Sequence, residues 1–188
     1  KVMKAPLNAT GDVSKWKDVI AHRPNVFLQG IEVMKNHLVV KEKENGMLRM
    51  VVHNLTTNEE KVIPTQDPIY GAYFYANPEM DTNTLRIYYS SLTTPASIVD
   101  INLDTLDSEV MKQTRVSETF DSSAYKSERV SIEARDGTEV PVSLVYRKDK
   151  FKKDGTNPLY QYAYGSYGAT IDPTFRSSWL SLIDRGFV

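Results

Sequence analysis

The chain has 188 residues, 23 of them basic and 24 acidic, for a formal net charge of −1. That balance excludes a nucleic-acid binder working by phosphate neutralisation, and the length suits one ordinary domain or parts of two. There is no cysteine, which excludes disulfides, thiolate catalysis and cysteine-based zinc sites.

No apolar run approaches the length of a membrane span, and the N-terminal KVMKAPLNAT lacks the apolar core of a signal peptide. The expectation is a soluble protein with neither a nucleic-acid nor a membrane partner, in a cytoplasmic or periplasmic compartment that the residues leave open. The three histidines, His22, His37 and His53, have no ligand spacing, so a structural or surface role is expected for each, with no metal site and no cofactor.

In chain order, residues 16–20 (WKDVI) end as residues 60–63 (EKVI) do, like the last strand of a repeat whose start lies upstream. Residues 37–42 (HLVVKE) read as a strand and Asn45-Gly46 as a hairpin turn. Residues 47–52 (MLRMVV) return, and residues 60–63 form a short outer strand ended by Pro64. The same syntax then recurs, with strands at 72–75, 84–89, 97–101 and 109–111. At an offset of 48, Asn54-Leu55-Thr56-Thr57 falls on Asn102-Leu103-Asp104-Thr105 and Val62-Ile63 falls on Val110-Met111. A period of roughly 40–50 residues with four strands per unit fits a β-propeller blade. Two consecutive β-meanders in a sandwich fit as well, and the matched asparagine-led turns favour the propeller. Two blades and the tail of a third cannot close a ring, which predicts a piece of something longer.

Beyond Thr114 the texture changes. Residues 115–127 read as a polar connector. Residues 128–134 and 140–146 form an alternating hairpin around Asp136-Gly137, and Pro141 puts it at a sheet edge. The basic residues Arg147, Lys148, Lys150, Lys152 and Lys153 have acidic neighbours and read as solvated loop. Residues 159–164 (LYQYAY) read as a strand entering a Gly/Ser turn. Residues 175–184 read as an amphipathic helix, started by Asp172-Pro173 and stopped by Gly186. The final run Arg185-Gly186-Phe187-Val188 reads as a strand just beginning, a second sign of a longer parent.

These residues carry a resemblance. Residues 127–146, from Ser127-Glu128-Arg129-Val130 through Arg135-Asp136-Gly137 to Val145-Tyr146, are similar to the propeller-to-hydrolase junction of the prolyl oligopeptidase family of serine peptidases, in its oligopeptidase B branch. Tyr162-Ala163-Tyr164-Gly165-Ser166-Tyr167-Gly168 and residues 180–188 (LSLIDRGFV) resemble the first strands and helix of its α/β-hydrolase domain, and residues 89–95 (YSSLTTP) a motif of its last blade. The resemblance implies a mostly β chain. Residues 1–114 would be the C-terminal blades of a seven-bladed β-propeller, 115–127 the connector and 128–188 the beginning of an α/β-hydrolase domain.

It also implies a parent that hydrolyses short peptide substrates after Lys or Arg. By the family match Tyr164 would donate to the oxyanion hole and Tyr167 would line the primary specificity pocket. Ala163 stands where the family has glycine. The Gly-x-Ser-x-Gly nucleophile elbow is absent, Tyr164-Gly165-Ser166-Tyr167-Gly168 falls one residue short of it, and no histidine follows His53. The chain alone is therefore expected to be inactive and prone to self-association. The competing reading is a stand-alone β-rich binding or scaffold protein. The alternative for Tyr162, Tyr164 and Tyr167 is packing in a hydrolase sheet, which is the reading preferred for Tyr162.

Overall fold

The computed structural model describes residues 1–188. Strands β1 (Val2–Lys4) and β2 (Lys17–Ile20) form a two-stranded antiparallel sheet. Two four-stranded antiparallel sheets follow. The first runs in the order β3 (Val26–Val33), β4 (His37–Glu44), β5 (Met47–Asn54), β6 (Glu60–Val62). The second runs β7 (Tyr70–Phe74), β8 (Thr84–Ser91), β9 (Ser97–Asn102), β10 (Ser108–Gln113). Each is an up-and-down meander in chain order, the form of a propeller blade.

The repeat holds at the level of register. Val51 faces Val62 and Val52 faces Lys61 in the first sheet, while Val99 faces Val110 and Asp100 faces Glu109 in the second, 48 residues on in each case. The asparagine-led turns are the same object twice. Asn54 Oδ1 accepts from the backbone N–H groups of Thr56 and Thr57 at 2.9 and 3.0 Å. Asn102 Oδ1 accepts from those of Asp104 and Thr105 at 2.9 and 3.2 Å. Each turn closes on a residue at positive φ, Asn58 (60°) and Leu106 (65°). An asparagine side chain that mimics a backbone turn explains why this residue type leads both copies. The inner hairpins differ: β4 and β5 are joined by Asn45 (φ 51°) and Gly46 (φ 72°), the left-handed pair of a type I′ turn.

The continuous apolar run at the start of β4 follows from burial on both faces. Val39 belongs to the apolar cluster between the two blades, with Met50, Val52, Ile63, Ala72, Leu85, Tyr89 and Ile101. Leu38 and Val40 point the other way, onto Ile20 of β2. Glu42 is wholly buried on the same strand and is held by Arg23 and by Arg49, whose Nε lies 2.7 Å from Oε1; a buried carboxylate persists only when paired in this way. The outer strands are not equivalent. Ile63 is 4 % exposed but its counterpart Met111 is 49 % exposed, because no third sheet covers the far face of the second blade.

Strands β11 (Tyr125–Glu133) and β12 (Glu139–Arg147) form a two-stranded hairpin, with both edges free and Pro141 tolerated opposite Ser131. The strand begins three residues before the expected position, after a 3₁₀ turn at Ser122–Ala124 in which the Asp121 carboxylate accepts from the Ser123 N–H. Only Gly137 of the Asp-Gly pair has positive φ (80°), and its N–H donates to Ala134 O at 2.9 Å. That is a turn closed by a glycine bulge rather than the two-residue type.

Three expectations are corrected. Residues 159–164 form no ladder: their pairing is one parallel bridge, in which Val188 N–H donates to Pro158 O (2.9 Å) and Tyr160 N–H to Val188 O (2.8 Å). The helix α1 (Ser177–Ile183) starts later than expected and has no side-chain cap, because its N-cap residue is Arg176, whose side chain has no acceptor, while the Asp172 carboxylate is engaged by Lys43 and Tyr73. Gly186 does stop it. At φ 94° its N–H donates to Ile183 O and that of Phe187 to Leu182 O, a Schellman closure that a left-handed glycine makes cheap. Arg147, expected as solvated loop, instead fastens this end through Asp184 at 3.0 Å, beside the Tyr125 hydroxyl at 2.7 Å.

Candidate functional site

The chemistry-bearing residues expected from the sequence lie on the stretch between the parallel bridge at residue 159 and α1. With that bridge, the stretch, α1 and Val188 make the skeleton of a β–α–β unit. Tyr160 packs edge-on against Trp179 of α1, with centroids 6.1 Å apart, and Tyr162 lies 5.8 Å from the same ring. The Arg176 guanidinium sits 4.9 Å from the Tyr162 ring and 4.8 Å from Trp179, a range in which cation–π attraction operates. Tyr162 is thus tied by packing, although it is partly exposed rather than enclosed in a core.

Tyr164 and Tyr167 are placed differently. Tyr164 is 54 % exposed and Tyr167 is fully exposed. Gly165 breaks the extended run, and the 3₁₀ turn Ser166–Gly168 follows, with Tyr167 at φ 58° and Gly168 at φ 70°. Two successive left-handed residues turn the chain sharply and present the Tyr167 ring outward. Tyr164 closes the run at its carboxyl end, and Tyr167 sits just past it. Ser166 is exposed in the same turn. His37 is buried between the blades with Nε2 3.1 Å from Asp104 Oδ1, and His53 Nδ1 lies 3.1 Å from Glu60 Oε1. No cluster of three or more His, Asp or Glu side chains is arranged to hold a metal ion.

Further along the loop, contacts with both blades appear that sequence reading missed. Lys43 of β4 donates to Asp172 Oδ1 at 2.5 Å and to Thr170 Oγ1 at 2.8 Å. The Tyr73 hydroxyl of β7 donates to Asp172 Oδ2 at 2.7 Å. The Phe175 N–H donates to Ser90 Oγ of β8 at 2.9 Å. Lys41 Nζ lies 3.9 Å over the Tyr73 ring. Burial pushes the Asp172 carboxyl up, but the bonds from Lys43 and Tyr73 and the charge of Lys41 outweigh it and hold the pKa below the ordinary value. Burial, reinforced by the adjacent Asp172, pushes Tyr73 up to about 12. Burial lowers Lys41 against the pull of Asp172, and Lys43 adds to the lowering. The available signal was Gly71, a glycine inside a strand, which marks a close backbone approach. A Cβ there would lie 2.9 Å from Thr174 Cγ2.

Comparison with known proteins gives this arrangement a context. The family model for the N-terminal beta-propeller domain of prolyl oligopeptidase matches residues 1–114. Dipeptidyl aminopeptidase BI of Pseudoxanthomonas mexicana is 42 % identical over the whole chain, which covers 26 % of that protein. Protease 2 of Moraxella lacunata is 31 % identical over the whole chain, again covering 26 % of the relative. The solved structure of oligopeptidase B from Leishmania major superposes with a TM-score of 0.85 at 30 % identity, covering 97 % of this chain and 26 % of that one. The chain thus spans about a quarter of the length of the proteins it matches, and the likeness extends beyond the propeller match into the segment carrying Tyr164. The two blades and their matched relatives agree on one assignment: this chain belongs to the prolyl oligopeptidase family.

Proposed function

We propose that this chain is an internal part of a serine oligopeptidase that hydrolyses short peptides after Lys or Arg. Residues 1–114 contribute the last propeller blades, 115–127 the connector, and 128–188 the start of the catalytic domain. The observation that supports this best is the placement of Tyr164 and Tyr167. Tyr164 is the last residue of a run that is bridged in parallel to Val188 across α1, and Tyr167 lies just past its carboxyl end. In α/β folds that edge is where ligands bind.

In this reading the nucleophile, base and acid belong to sequence outside these residues, since the chain has no nucleophile elbow and no histidine after His53. Tyr164 supplies a phenolic donor to the oxygen that becomes charged in the tetrahedral intermediate. The residue is about half exposed, which leaves it accessible to a substrate. Tyr167, with its ring held outward by a left-handed backbone, forms a wall of the pocket for the residue before the scissile bond. The basic-residue preference rests on the likeness to the oligopeptidase B group.

The test is kinetic, in the full-length protein with a fluorogenic arginyl amide. Tyr164→Phe removes one hydroxyl and keeps the ring, so kcat should fall roughly 10²–10³-fold with KM little changed. Tyr162→Phe, whose ring packs on Trp179, should have a small effect. A Tyr164→Phe enzyme that melts normally and keeps near-full kcat would show that this tyrosine only packs. The 42 % identity to a relative named dipeptidyl aminopeptidase supports a second reading, release of dipeptides from a free N-terminus. Paired substrates with free and blocked amino groups separate the two, because the oligopeptidase accepts both and a dipeptide-releasing enzyme rejects the blocked one.

A further inference from the structure

The loop between Tyr164 and α1 has little structure of its own beyond one 3₁₀ turn. It is held by the blades, and one residue meets both of them. Asp172 lies eight residues after Tyr164. Its Oδ1 takes Lys43 from the first blade and its Oδ2 takes Tyr73 from the second. The side chains of Lys43 and Asp172 are 11 % and 14 % exposed, so the pair is screened little by water. The backbone comes equally close. Gly71 of the second blade leaves no room for a Cβ beside Thr174, and the wholly buried Ser90 accepts the Phe175 N–H.

We infer that Asp172 is a positioning residue: by bridging the seam between the two blades it fixes the loop that follows Tyr164, and so couples the spacing of the blades to the placement of the oxyanion donor. The inference rests on the oxyanion reading of Tyr164. The physical warrant is that both ends of the lever are defined. A donor must lie about 2.7–3.1 Å from the oxygen that becomes charged, and a misplacement of about 1 Å costs up to about 100-fold in rate. The loop carries no ladder that would hold Tyr164 otherwise. A shift of either blade moves Lys43 or Tyr73, and Asp172 passes that shift along the loop. An ion pair that merely adds stability would lack this connection to the rate, which is what the experiment separates.

The experiment measures kcat and KM of the full-length protein on the arginyl amide for Asp172→Asn, Lys43→Met, Tyr164→Phe and the double variant Asp172→Asn/Tyr164→Phe. Asp172→Asn should lower kcat about 10- to 100-fold with KM nearly unchanged, and Lys43→Met should reproduce it. In the Tyr164→Phe background the same substitution should cost no more than about twofold, because the group it positions is gone. Tyr73→Phe, which removes a single bond, replaces Asp172→Asn if that variant does not fold. An Asp172→Asn enzyme with full kcat, or an equal loss in both backgrounds, overturns the inference while Tyr164→Phe still reports on the oxyanion donor. Full kcat in Tyr164→Phe alone overturns the oxyanion reading, and with it any route from Asp172 through that hydroxyl.

Discussion

Residue by residue, the features that sequence revealed are those whose partners are local. Asn54 and Asn102 announce their turns because each carboxamide bonds backbone two and three residues ahead. Replacing either by alanine should cost about 1 kcal/mol, equally for both copies, read as a shift in the urea midpoint of the 188-residue chain. Asp172 was legible only as a helix start signal, since its partners Lys43 and Tyr73 are 129 and 99 residues away in sequence. Its pH behaviour follows from its lowered pKa. A carboxylate with a depressed folded pKa stabilises above its unfolded value, near 4, and that contribution is lost as pH falls through the folded value. The groups facing it are Lys43, Lys41 and Tyr73. Asp172→Asn should therefore destabilise the chain by about 2–4 kcal/mol at pH 7 and by progressively less below pH 4. An unchanged difference at pH 3 would show that the pair contributes no ionic stabilisation.

At the level of elements, the two meanders were readable because turn chemistry and alternation recur at matched positions, and the structure repeats even their cross-strand register. What sequence could not supply was the ladder partner of residues 159–164. Their aromatic, alternating composition promises a strand, but a strand needs a neighbour, and within this chain Val188 alone provides one bridge. The helix start was misplaced for a related reason: Asp172, read as its start signal, pairs with Lys43 and Tyr73, and the helix begins after Arg176 instead. Gly186 was legible because its role is local. Gly186→Ala would place a Cβ at φ 94° in ordinary van der Waals contact, 3.8 Å from Lys150 Cβ, so its cost of about 1–2 kcal/mol is conformational strain, not a clash. Leu85→Ala, in the apolar layer between the blades, should cost about 2–5 kcal/mol. Thermal melts of the two variants should differ accordingly.

Across the whole molecule, the core lies between sheets, so each sheet depends on a neighbour. The first blade has neighbours on both faces and the second on one. Val110 and Met111 on β10, and Phe27, Ile31 and Val33 on β3, are left exposed together with Leu159, Tyr160 and Tyr162. Exposed apolar surface and free strand edges of this kind drive association. The 188-residue chain in isolation should therefore show rising mass by light scattering as concentration increases, whereas a sharp monomer at every concentration would contradict the expected dependence on covering neighbours. Under the proposed function, the chain would contribute a donor and a pocket wall to a reaction whose nucleophile lies outside it. The most direct test is to label the full-length protein with an active-site-directed serine reagent and map the modified peptide. The expected result is one labelled serine outside residues 1–188, with activity lost in step and Ser166 unmodified. Stoichiometric label on Ser166, or on any serine of these 188 residues, with matching loss of activity would contradict it.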